Sequence, residues 1–80
     1  MDDTQQAVLD FLRKTIDPQV ELTTPLLESG ILDSFHVVEL LGFVERQFDI
    51  RLEPTDVTQE DLASPQRIIE LVTRLRSRNP

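Results

Sequence analysis

Asp33, Ser34 and His36 stand within four residues of one another and are the three residue types of a hydrolytic triad. A working triad needs serine, imidazole and carboxylate in one hydrogen-bonded line, whereas positions i, i+1 and i+3 near a helix start point in diverging directions. The chain has no G-x-S-x-G turn to present the serine, and 80 residues leave little room for a substrate pocket with an oxyanion hole. Independent catalysis is therefore not expected. One histidine and no cysteine are too few for a transition-metal site, and "DIRLEPTD" at 49–56 lacks the alternating carboxylates, central glycine and closing glutamate of a calcium loop. No metal is expected. Without cysteine, any thiol chemistry has to come from a group attached from outside.

A second chemistry fits the serine better. A hydroxyl at a helix N-terminus lies where backbone N–H groups and the helix dipole favour an anion, so a phosphodiester joined to Ser34 would be well placed. Capping alone would explain a serine here, but not its neighbours. With Val37 at zero on a helical wheel, Phe35, Val38, Gly42 and Arg46 fall at roughly 100° to 180°, and Glu39 at about 200°. This face points outward, and an apolar strip with an acidic rim beside an anchored phosphate describes a docking surface.

The elements that must position these residues are read from periodicity. A first helix is predicted from about Asp3 to Thr15, with Val8, Leu12 and Thr15 or Ile16 on one stripe, Phe11 beside them, Asp2, Asp3 and Thr4 at its start and Arg13-Lys14 at its end. From Ile16 to Asp33 a long ordered loop is broken by Pro18, Pro25 and Gly30, with Leu22, Leu26, Leu27, Ile31 and Leu32 as anchors. The second helix begins at Asp33 or Ser34, either of which can cap it, and ends near Phe48, with Val37, Leu41, Val44 and Phe48 as its core stripe and Leu40 at the edge. A short helix or turn is expected around Asp56 to Asp61. A last helix starts at Ser64-Pro65, buries Ile68, Leu71, Val72 and Leu75, and ends among Arg74, Arg76 and Arg78. The expected fold is all-α: three main helices, one short helix and a long first loop, in a single domain over residues 1–80.

Composition sets the class of partner. Hydrophobic residues are 39% and charged residues 29%, as in an ordinary soluble globular protein. No basic-plus-apolar leader and no span of about 18 apolar residues is visible, so the expected address is the cytoplasm. A net charge of −7 argues against nucleic acid, which is bound by neutralising phosphates. From Glu28 to Asp61 nine acidic residues face only Arg46 and Arg51, while six acids and six bases cancel in the flanks. The excess therefore surrounds Ser34 and would draw in basic partners, although a solvated acidic surface can also serve solubility alone.

The stretch "LLESGILDSFHVVELLGFVERQFDI" resembles the core of acyl carrier proteins, with Asp-Ser at the start of the second helix. The first helix, the loop and "SPQRIIELV" fall in frame as well, so the resemblance covers most of the chain. Phe35 after the serine, "VELL", and the spacing from "FDI" to "SP" look most like D-alanyl carrier proteins and similar discrete carriers of secondary metabolism. The Gly-Gly-x-Ser form frequent in peptidyl carrier domains is absent.

This resemblance implies that Ser34 receives 4'-phosphopantetheine from coenzyme A through a phosphopantetheinyl transferase, and that the arm's thiol holds cargo as a thioester. It further implies that Asp33, Phe35, Val38 and Glu39, with Gly42 and Arg46 on the same face, meet partner enzymes. Those partners would be an adenylating acyl or aminoacyl ligase and acyltransferases, synthases or tailoring enzymes with basic docking surfaces. The cargo implied is an amino acid or short acyl group in natural-product or cell-envelope biosynthesis. The alternative is a carrier-like helical adaptor that binds partners without an arm. His36 stands where many fatty-acid carriers have an acid and D-alanyl carriers tend to have glycine, and Arg46 interrupts the usual acidic run; both imply a distinct partner set. His36 either modulates docking near neutral pH or is simply a partly exposed helical histidine.

Overall fold

Ile68, Leu71, Val72 and Leu75 recur at helical spacing and are all buried, so the last helix contributes one continuous apolar face. The computed structural model describes residues 3–78, apart from the side chains of Pro54 and Arg78; the expectations placed on Asp2 and on the Arg78 side chain lie outside the described residues. Helix α1 spans Asp3–Thr15, α2 Ser34–Phe48 and α3 Pro65–Arg78, with no strand among the described residues. The expected short helix is instead two 3₁₀ turns, Pro54–Asp56 and Glu60–Leu62. Side chains hold these turns locally: Asp56 Oδ2 accepts the Glu53 N–H at 3.1 Å and Asp61 Oδ2 accepts the Thr58 N–H at 3.0 Å. Carboxylates returning to backbone amides three residues earlier favour tight turns over a propagating helix.

The long loop, without regular secondary structure, is held by backbone pairing to the start of α3. Leu26 N–H donates to Ala63 C=O at 2.8 Å, and Gln66 N–H donates to Leu22 C=O at 3.0 Å. Arg13 Nε donates to Val20 C=O at 2.8 Å, so this arginine ties the loop to α1 as well as sitting in the helix's last turn. Leu26 and Leu32 are the buried anchors; Val20, which has no periodic neighbours to mark it, is a third. Leu27 is exposed rather than anchored, because the turn at 25–30 directs its neighbour Leu26 inward instead. Gly30 ends that turn at φ +77°, a conformation that costs glycine little.

The core stripe of α2 is rotated from the expected one. Leu40 and Val44 are 0% and 1% exposed, whereas Val37, Leu41 and Phe48 are half-buried. The reason is the position of α1. Phe11 stacks on Phe43 with ring centroids 4.3 Å apart, Phe43 meets Phe48 edge-on at 6.4 Å, and the pull of Phe43 toward α1 turns Leu40 to the centre. Arg76 of α3 closes the set, lying 5.3 Å from the Phe48 ring centroid and donating from Nη1 to Thr4 Oγ1 at 2.7 Å. Leu40→Ala should therefore lower the unfolding free energy by about 2–5 kcal/mol, and Val37→Ala by less than half as much, as read from urea denaturation. Equal losses would restore Val37 to the core stripe.

Candidate functional site

Two neighbouring residues divide the start of α2 between them. Asp33 is the N-cap, extended at φ −98° and ψ −179°, and its Oδ1 accepts the His36 N–H at 2.9 Å. Its carbonyl accepts the Val37 N–H at 2.9 Å, the first turn of the helix. The cap is thus supplied by the aspartate, and the Ser34 hydroxyl is exposed and makes no hydrogen bond among the described residues. Helix geometry leaves the first amides of α2 pointing the same way, an environment that favours negative charge.

His36 Nδ1 lies 2.9 Å from the same Asp33 Oδ1, close enough for an ion pair when the ring is protonated. The contact is not an aligned hydrogen bond, and Nδ1 is buried without a hydrogen-bond partner among the described residues. The backbone N–H of His36 holds the Asp33 carboxyl below the ordinary carboxylate value against an opposing effect of desolvation, and the charge of a protonated His36 adds to the lowering. His36 therefore reaches the aspartate, while neither makes a hydrogen bond to the Ser34 hydroxyl. A hydrolytic arrangement has no geometric support here.

The remaining residues expected on the outward face are displayed as the helical wheel requires. Phe35 and Val38 are 67% and 70% exposed, and Glu39 and Arg46 are exposed. Phe35 rests edge-on against the His36 ring at 5.6 Å. Gly42 is half-buried, with the Arg46 guanidinium folded toward it. Beside Ser34 lies a groove of about 560 Å³ that sequence reasoning missed, walled by Leu27, Leu32, Val37 and Leu62 with Gln59 as a polar member. Gln59 and Leu62 arrive there through the second 3₁₀ turn, and the only signal in the sequence was the Thr58-x-x-Asp61 pattern that forms it. Among the described residues, no helix is long and apolar enough to cross a membrane, and no group of three or more His, Cys, Asp or Glu could hold a metal ion.

Residues 4–72 match the family described as "Phosphopantetheine attachment site". The chain is 33% identical over 75 residues to the D-alanyl carrier protein of Staphylococcus xylosus, covering 90% of this chain and 96% of that one. It is 32% identical over 79 residues to the D-alanyl carrier protein of Bacillus cereus (strain B4264), covering 95% of this chain and all of the relative.

The sign of the Asp33 effect on stability follows from its lowered pKa. The folded state binds this proton more weakly than the unfolded chain, so the stabilisation is present above the unfolded carboxylate value and is lost as pH falls through the folded one. Thermal melts should show wild type above Asp33→Ala at neutral pH and the two converging in acid. Curves that stay parallel throughout would detach the carboxylate from the cap.

Proposed function

Because the chain belongs to the phosphopantetheine attachment-site family, and is accordingly a carrier rather than an enzyme and bears a covalent 4'-phosphopantetheine, we propose that Ser34 is the attachment point. The observation that carries this reading is the exposed Ser34 hydroxyl, without a hydrogen bond among the described residues, at a helix N-terminus whose cap is already provided by Asp33. When bound, the arm supplies a terminal thiol that holds cargo as a thioester. The chain's own residues present the hydroxyl, favour the phosphodiester through the first amides of α2 and expose a surface for recognition. In the attachment step the Ser34 Oγ–phosphorus bond forms and the phosphoanhydride of coenzyme A breaks. The nucleotide leaves, and the hydroxyl proton passes to a base on the phosphopantetheinyl transferase.

Residues 1–80 then act as one carrier domain in the cytoplasm. Asp33, Phe35, Val38, Glu39, Gly42 and Arg46 form the face that meets the transferase, an adenylating ligase and the enzyme that takes the cargo. The acidic surplus of 28–61 supports basic partner surfaces. Cargo is an amino acid or a short acyl group: the groove beside Ser34 is open to solvent rather than enclosed, which suits a short cargo better than a long chain. The likeness to D-alanyl carrier proteins supports an amino acid in the first place.

Incubation with coenzyme A and a phosphopantetheinyl transferase, followed by intact-mass measurement, should add one arm to the wild type and none to Ser34→Ala. An arm on the variant would move the site, and no arm on the wild type would return the chain to the adaptor reading. Phe35→Asp should leave helicity by circular dichroism unchanged and slow loading by the cognate ligase about tenfold, the loss expected of a buried interface aromatic. An unchanged loading rate would remove Phe35 from the docking face.

A further inference from the structure

Gly42 sits in the middle of α2, where glycine is the least favourable residue other than proline. An isolated glycine inside a helix costs about 1 kcal/mol relative to alanine. Packing among the described residues does not account for this one: a Cβ there would meet only Arg46 Nη1 among them, at 3.3 Å, and that atom is the far end of a flexible side chain. The glycine continues the line of Phe35 and Val38 along the helix, so an exposed apolar strip ends at a half-buried position that has no side chain and is covered by the Arg46 guanidinium. Arg46, the single Arg or Lys of α2, lies over that position and makes no ion pair or hydrogen bond among the described residues.

We propose that position 42 is kept free of a side chain so that the phosphopantetheinyl transferase can pack directly on the α2 backbone there, moving the Arg46 guanidinium onto a carboxylate or carbonyl of the transferase. The proposal rests on Ser34 being the attachment point. The transferase is the occupant because its chemistry obliges it to reach Ser34, and Gly42 follows eight residues later on the same helix, about 12 Å away. That distance falls within a standard interface of about 800 Å² per partner. Charge agrees: the acidic surplus of 28–61 draws a basic surface, and Arg46, the one Arg or Lys of α2, requires one acceptor within it.

Stability and recognition make opposite demands at position 42, and this separates the proposal from a structural role. Apo Gly42→Ala should melt about 2–8 °C higher than wild type, since alanine favours the helix and Arg46 can move aside. With coenzyme A and a broad-specificity phosphopantetheinyl transferase, the same variant should lose about tenfold in kcat/KM, chiefly through KM. Arg46→Ala should melt with the wild type and lose about threefold. A Gly42→Ala protein modified at the wild-type rate overturns the proposal, as does one that melts lower, because glycine would then serve the fold. If the wild type is modified only on Ser34 and both variants keep full rate, this inference alone fails. If the wild type takes no arm, or Ser34→Ala takes one, the attachment reading fails and carries this one with it.

Discussion

The hydrogen bond from the His36 amide to the Asp33 carboxylate is the contact on which the site depends. A helix start has unpaired amides that a side chain must satisfy, and serine and aspartate compete for that duty when they are adjacent. Here the aspartate takes it. Ser34, one residue later, is inside the helix with its hydroxyl directed to solvent and unspent. Were the roles exchanged, the same two residues would cap the same helix but leave no exposed nucleophilic oxygen.

The rest of the fold holds that junction in place. The loop before it has no regular structure, yet it is fixed at Leu26 and Leu22 by backbone bonds to the start of α3 and at Val20 by Arg13. Leu32, buried one residue before the cap, sets where the helix can begin. Behind the helix, Phe11, Phe43 and Phe48 lock its rotation, with Arg76 over the last ring. That rotation decides which residues face outward, so an aromatic contact between α1 and α2 on one side fixes the exposure of Phe35 and Val38 on the other.

Much of this was legible in the chain. The helix ranges follow from apolar spacing and from Pro65, and Ile68, Leu71, Val72 and Leu75 mark the apolar face of α3 by their spacing alone. The outward face of α2 was legible because it needed only helical geometry. Its inward face was not, because whether Val37 or Leu40 lies at the centre depends on where α1 packs, and Phe43 gave no sign of that until its partner Phe11 was placed. The groove beside Ser34 was hidden for the same reason: Gln59 and Leu62 come from a 3₁₀ turn whose placement is tertiary. Which of Asp33 and Ser34 caps the helix was also open in the sequence, since both side chains are competent and only backbone geometry separates them.

That last point can be measured at a single amide. Hydrogen exchange followed residue by residue should find the His36 N–H equally protected in wild type and in Ser34→Ala, and unprotected in Asp33→Ala. Loss of His36 protection on removing the serine hydroxyl would mean that Ser34 is the cap, and would contradict the account of how this protein keeps its serine available.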